Sequence, residues 1–158
     1  MTAPLLGAER TVVCPDPAST SALGRRLGSV AQAGDLICLW GELGAGKTHL
    51  AKAIGAGLGV TATITSPSYI LMAEYDGRLP LFHLDLYRLA DAADVLAGGL
   101  IDDRQSAGLT LVEWPERLAD ALPAGRLDVV IDGSGDEARE ILLRTLDVRY
   151  QRYLEAVA

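Results

Sequence analysis

The segment Gly41-Glu-Leu-Gly-Ala-Gly-Lys-Thr48 restricts what this chain can fold into more than any other part of it. It fits the pattern G-x-x-x-x-G-K-[ST], whose glycines let backbone N–H groups curl around phosphate oxygens. Its lysine reaches the β and γ oxygens and its hydroxyl binds Mg²⁺. The pattern carries this meaning between a strand and a helix, and both flanks comply. Asp35-Leu-Ile-Cys-Leu-Trp40 is a short apolar run suited to a buried strand, and Thr48 to Leu58 is alanine-rich and helix-favouring. Strand, glycine loop and helix in that order predict an α/β chain. The expected form is a P-loop NTPase-like three-layer domain with a mixed central sheet flanked by helices.

The remaining elements fit around that core. Arg10 to Cys14 predicts a first strand, and Asp16-Pro17 an N-cap with proline at the first helical position. Leu23, Leu27 and Val30 recur at helical spacing, so this helix should run to about Ala31, with Gly34 closing it. Gly55, Gly57 and Gly59 predict a frayed end to the helix behind the loop. Tyr69 to Tyr75 and Arg78 to Asp85 flank Asp76-Gly77, the dipeptide preferred in two-residue I′ turns, and predict a hairpin. Ala90 to Leu96 reads as a short helix broken by Gly98-Gly99. Leu109 to Glu113 reads as a buried strand, and Glu116 to Leu122 as a helix that Pro115 begins without loss of a backbone bond. Leu127 to Asp132 and Arg139 to Leu146 should be paired strands joined by the Gly133-Ser-Gly-Asp136 turn, with a terminal helix in the tail from Asp147 to Ala158. No repeat or linker interrupts the chain, and its 158 residues suffice for a single domain, 1–158.

Composition narrows the classes of function. Hydrophobic residues make up 49% and charged residues 22%, ordinary values for a soluble protein, and no run is long and apolar enough to span a membrane. Met1 to Arg10 lacks the basic and apolar regions of a signal peptide, so the expected location is cytoplasmic. Cys14 and Cys38 lie in apolar runs without a CxxC spacing, which predicts reduced core residues. A net charge of −7 argues against unaided grip on nucleic acid, because neutralising phosphates needs a basic face.

A phosphate loop needs an acidic partner for Mg²⁺ near the tip of a neighbouring strand. Asp85, Glu113 and Asp132 each end an apolar strand, and spacing alone does not choose among them. Asp132 runs into a Gly-Ser-Gly turn, where an aspartate is commonly a turn-former. Glu113 is wedged between a buried strand and Trp114, an awkward place for an acid without a partner. Asp85 sits among His83, Tyr87 and Arg88, a density of polar groups that a plain strand end does not need. His83 taken alone reads as a hydrogen-bonded structural histidine. Thr65-Ser-Pro-Ser-Tyr69 adds a hydroxyl-rich loop with the character of a switch.

The order GELGAGKT (Gly41 to Thr48), TSPSY (Thr65 to Tyr69), FHLDLYRL (Phe82 to Leu89) and LVEWPERL (Leu111 to Leu118) resembles the TsaE family, also called YjeE, of bacterial tRNA threonylcarbamoyladenosine biosynthesis ATPases. The resemblance implies a Mg²⁺-dependent ATPase acting with TsaB and TsaD homologues, TsaD being the transferase and tRNA being met through the complex. Carried over by motif, Gly44, Ala45, Gly46 and Lys47 cradle the phosphates and His49 offers a backbone N–H. Thr48 and Glu113 hold the metal. Asp85 acts near the metal and γ-phosphate, with Ser66 and Ser68 in the switch-like loop above it, and Trp114 walls the nucleotide site. Pro17 and Gly135 are implied as base-side contacts by chain order alone. The family commonly has threonine where this chain has Ser68, and no role transfers to Asp94, Asp102 or Asp103.

Two other readings of the phosphate loop stay open: a small-molecule kinase, which lacks support from any arginine-rich lid segment, and a non-catalytic nucleotide sensor. The guanine signature Asn-Lys-x-Asp is absent, which disfavours a GTPase.

Overall fold

Nearly continuous burial of the central strands on both faces marks one mixed sheet, seen in a computed structural model that describes residues 7–65, 72–88 and 103–158. The elements are β1 (Ala8–Cys14), α1 (Pro17–Ser29), β2 (Leu36–Trp40), α2 (Lys47–Gly57), β3 (Met72–Tyr75), β4 (Leu81–Asp85), β5 (Leu109–Glu113), β6 (Leu127–Asp132), β7 (Arg139–Thr145) and α3 (Gln151–Ala156). The sheet order is β1-β7-β6-β2-β5-β4-β3. Strands β6, β2, β5 and β4 run parallel, β7 pairs antiparallel with β6 and β1, and β3 pairs antiparallel with β4. The expected mixed α/β sheet is therefore present. Its parallel strands all end at one edge, where α/β sheets bind ligands.

On one face, Ile37, Leu39, Leu109, Leu111 and Val129 pack against Leu23 and Leu27 of α1 and Leu50 and Ile54 of α2. Each such buried side chain contributes on the order of 1.5–3 kcal/mol. On the other face, Leu36, Cys38, Phe82, Leu84 and Val112 form a second cluster with Leu118. Among the described residues that face is covered by 3₁₀ turns at Pro115–Arg117 and Ala119–Ala121, in place of the helix expected over 116–122. Pro123 stops the segment before an α-helix can build, and short 3₁₀ pieces are what remains. The helix expected over 90–96 lies outside the described residues.

Asp16 caps α1 as the sequence implies, accepting from the Ser19 amide at 2.8 Å while Ser19 Oγ accepts from the Asp16 amide at 3.2 Å. The helix stops at Ser29, slightly short of the expected end. The glycines behind the phosphate loop do not fray α2. Gly57 lies so close to α1 that a Cβ there would meet the Arg25 carbonyl oxygen at 2.2 Å, and one on Gly28 would meet the Ile54 oxygen at 2.0 Å. Leu58 is fully buried, and Gly59 ends the element at φ +91°.

The β3–β4 hairpin forms, but without a two-residue I′ turn. Tyr75 pairs with Leu81, so residues 76–80 make the connection. Gly77 is not at positive φ, which a I′ turn requires. The loop serves the helix ends instead: the Arg78 amide donates to Leu58 O at 2.8 Å, and its guanidinium donates to Gly28 O at 3.1 Å and Ala31 O at 3.0 Å. Carbonyls at helix C-termini lack internal partners, and this demand outweighs the dipeptide preference.

Helix α3 docks where β2 begins, with Arg152 and Tyr153 both donating to Asp35 Oδ2. Cys14 and Cys38 are buried and unpaired, and burial, reinforced by Asp128, pushes the Cys38 thiol above its ordinary range. No helix among the described residues is long and apolar enough to cross a membrane.

Candidate functional site

The loop between β2 and α2 opens outward at the carboxyl edge of the parallel strands. Gly44 and Gly46 have φ of +84° and +104°, conformations that favour glycine, and a Cβ on either would meet nothing within 4 Å. Open space on that side is what a cradle for an external group requires. The 11-residue α2 starts at Lys47 and aims its N-terminus into the cradle, so unpaired amides and the helix dipole both favour an anion.

Lys47 is 6% exposed. Its Nζ donates to Gly41 O at 2.5 Å and Glu42 O at 2.9 Å, and lies 4.0 Å from the centroid of the Trp114 ring. Burial holds this ammonium below the ordinary lysine range, against the pull of Glu113, Glu116, Asp85 and Glu42. Trp114 is the one non-glycine at positive φ among the described residues, at 60°, and it precedes a proline, which restricts it further. Such a backbone costs about 1–3 kcal/mol and persists where neighbours enforce it. Here the ring lies against both Lys47 and Tyr87, the latter at 4.9 Å between centroids.

Thr48 and Glu113, the pair implied to hold a metal, are in direct contact: Thr48 Oγ1 donates to Glu113 Oε1 at 3.0 Å. Glu113 is 2% exposed at the tip of β5, and Asp85 lies beside it in register at the tip of β4. The Asp85 carboxylate accepts from the Tyr87 amide at 3.1 Å. Asp132 also ends a parallel strand, but it is exposed and leads into Gly133, at φ +121°, which suits a turn-former. A hydroxyl and a carboxylate are the hard oxygen donors that Mg²⁺ accepts, and Mg²⁺ commonly adds waters and phosphate oxygens to one or two carboxylates. The residues present fit the ion. Among the described residues no cluster of three or more His, Cys, Asp or Glu forms an all-protein metal cage.

Beside the loop is a cavity of about 250 Å³ lined by Pro17, Thr20, Gly46, His49, Gly135 and Arg139, among others. Pro17 and Gly135, implied by chain order alone, thus meet the phosphate loop in one hollow. The His49 ring closes part of it, with Nε2 lying 3.0 Å from Ser21 Oγ and 3.2 Å from Pro17 O. Ser66 and Ser68 lie outside the described residues.

One residue of the site, Arg139, escapes the sequence reading, and His83 is read there as a hydrogen-bonded structural histidine without its partner. Arg139 donates from Nε to Ala45 O at 2.8 Å, from Nη2 to Gly135 O at 3.0 Å, and from Nη1 to Glu137 O, tying the phosphate loop to the β6–β7 turn. Its partners are backbone carbonyls, which leave no mark in a sequence. His83 lies 2.6 Å from Glu113 Oε2, and its place one residue-pair back from Asp85 on the same strand was the available signal.

Comparison with known proteins places this geometry among relatives. Residues 14–141 match the family model described as threonylcarbamoyl adenosine biosynthesis protein TsaE. The chain is 38% identical over 144 residues to the tRNA threonylcarbamoyladenosine biosynthesis protein TsaE of Bacillus subtilis (strain 168), covering 90% of each. It is 39% identical over 136 residues to the protein of that name from Streptomyces coelicolor, covering 81% of this chain and 91% of the relative. The crystal structure of Bacillus subtilus YdiB superposes with a TM-score of 0.77 at 34% identity, covering 95% of this chain and 94% of that one.

Proposed function

Because this chain belongs to the TsaE family of tRNA threonylcarbamoyladenosine biosynthesis, we propose that it binds Mg²⁺-ATP and hydrolyses it slowly, supporting turnover of a complex of TsaB and TsaD homologues. The observation that carries this reading is the Thr48–Glu113 contact of 3.0 Å beneath an open glycine cradle. A generic glycine turn has no need of a buried carboxylate under it.

In this reading the loop amides and the α2 N-terminus hold the β and γ phosphates, and Lys47 turns its ammonium toward them from the Gly41 and Glu42 carbonyls. Thr48 and Glu113 hold Mg²⁺, which neutralises charge on the phosphate oxygens when bound. Asp85, next to Glu113 at the strand tips, orients the attacking water. The cavity lined by Pro17, His49 and Gly135 takes the base and ribose, and Trp114 walls the phosphate end. The charge of −7 supports leaving tRNA contact to the partners, in a cytoplasmic setting. A phosphate loop to which no arginine finger is supplied turns over slowly, and in this reading a partner completes the site.

The test is reconstitution with TsaB, TsaD, tRNA and threonylcarbamoyl-adenylate. Wild-type protein with Mg²⁺-ATP should sustain many rounds of modification, and Lys47→Ala should not. Equal multi-round modification by the two refutes the proposal.

A further inference from the structure

Glu113 is held from two sides, and the two holders act on different oxygens. Thr48 Oγ1 lies nearer Oε1, at 3.0 Å, than Oε2, at 3.3 Å. His83 Nε2 lies 2.6 Å from Oε2. A carboxylate that holds a cation only accepts, so in that role of Glu113 the hydrogen of the His83 contact belongs to Nε2 and the imidazole is the donor. His83 is 0% exposed and reaches Glu113 diagonally across the sheet: it pairs with Leu111 in register, and Glu113 is the next residue of β5 on that face.

The other ring nitrogen makes the arrangement informative. His83 Nδ1 is the buried side-chain nitrogen or oxygen that has no partner among the described residues. A histidine serving packing alone gains nothing from an orphaned buried nitrogen, since an apolar side chain fills the same space without that cost. The opposite nitrogen does what no apolar residue can, meeting a buried carboxylate oxygen at 2.6 Å.

We propose that His83 is the positioning residue of the metal-binding carboxylate. By fixing Oε2 it turns Oε1 toward Thr48, where the Thr48 hydrogen is drawn onto the carboxylate and the hydroxyl lone pairs stay available to a cation. Partners behind a metal-binding group orient it in this way, and their loss commonly weakens metal binding by about 10–100-fold. The inference rests on the Mg²⁺-ATP reading of the site.

The test compares ATP affinity with saturating Mg²⁺ and with EDTA, by calorimetry on the full chain, for wild type, His83→Gln and His83→Asn. The glutamine amide nitrogen reaches about where Nε2 stands, and the asparagine amide stops near Nδ1. His83→Asn should therefore lose about tenfold or more of the Mg²⁺ enhancement while its affinity in EDTA stays within about twofold of wild type. His83→Gln should retain most of the enhancement. If His83→Asn keeps the enhancement, or loses affinity equally in EDTA, the positioning role is overturned. A second measurement needs no variant of His83: the chain has 2 histidines, so the His83 Nε2–H resonance can be assigned by elimination with His49→Asn. It should shift when Mg²⁺ is added to ATP-saturated protein, and its indifference would overturn the role even if His83→Asn fails to fold. Wild-type affinity that ignores Mg²⁺ altogether overturns the Mg²⁺-ATP reading and this inference with it, a result distinct from failure of the His83 variants alone.

Discussion

Replacing Gly28 by alanine tests how tightly α1 and α2 are joined. A methyl there would lie 2.0 Å from the Ile54 carbonyl oxygen, 2.8 Å from the Leu58 amide nitrogen and 2.9 Å from the Gly57 carbonyl carbon. All three are backbone atoms, so no side chain can swing aside and the helices must part by more than an ångström. Overpacking of this kind costs about 1–3 kcal/mol, and more where the obstacle is rigid. Alanine is a better helix former than glycine by at most about 1 kcal/mol, and Gly28 sits one residue from the helix end, where that gain is smaller. The steric term wins, leaving a net loss of about 2 kcal/mol and a Tm lower by about 4–8 °C for a chain of this size. Gly55→Ala is the control. Its methyl would meet Ile64 Cδ1 at 2.2 Å and Leu81 Cδ2 at 3.3 Å, both ends of flexible side chains, so repacking and helix propensity should hold the loss below about 1 kcal/mol. Urea unfolding followed by far-ultraviolet circular dichroism measures both. A Gly28→Ala protein as stable as wild type, or no less stable than Gly55→Ala, refutes the reasoning.

Lys47→Ala should weaken ATP binding by about tenfold or more, the loss of a charge-assisted contact of about 1.5–3 kcal/mol. Its Tm should not fall, because burial already disfavours the ammonium; calorimetry and thermal melts together check both halves. Arg139→Lys keeps the charge but loses the fork that spans Ala45 and Gly135, so ATP affinity should drop several-fold while affinity for inorganic triphosphate, which needs no base cavity, changes less. Equal losses for the two ligands would refute that coupling. Burial pushes the Tyr153 phenol above its ordinary 10.0. The folded state then keeps a proton that the unfolded chain sheds, so this contribution is intact below pH 10 and lost as pH rises beyond it. Tyr153→Phe should flatten the alkaline limb of the stability profile, and an unchanged slope above pH 10 would show that Tyr153 is not its source.

What the sequence made legible was local. Lys47, Thr48 and the strands Leu109–Glu113 and Leu127–Asp132 were readable because each signal lies within a few consecutive residues: a loop motif, or an apolar run bounded by turn residues. Glu113 stood out because an acid after four buried residues needs a reason. The misread elements depend on neighbours distant in sequence. Gly57 looked like a frayed end because the backbone it touches is that of Arg25. Asp76-Gly77 suggested a two-residue turn because nothing nearby revealed that Arg78 would be drawn to the ends of two helices. His83 was read as a hydrogen-bonded structural histidine, and it is hydrogen-bonded, but its partner, 30 residues away, could not be named from the sequence. The site is thus written in two scripts, one of motif residues and one of contacts that exist only after folding.

The neighbouring positions of Asp85 and Glu113 in the sheet have a consequence for how this protein is made. Strand β4 is buried on both faces, with Leu81 in one apolar cluster and Phe82 and Leu84 in the other. Apolar burial alone therefore penalises a one-residue slip of β4 less than it would a strand with one wet face. The slip would turn His83 away from Glu113 and strand a histidine and a buried acid without each other. That polar pair adds to the slip a cost that apolar burial alone does not supply. A chain mispaired there would keep much of its apolar burial while separating Glu113 from His83, a fault that burial alone would not reveal.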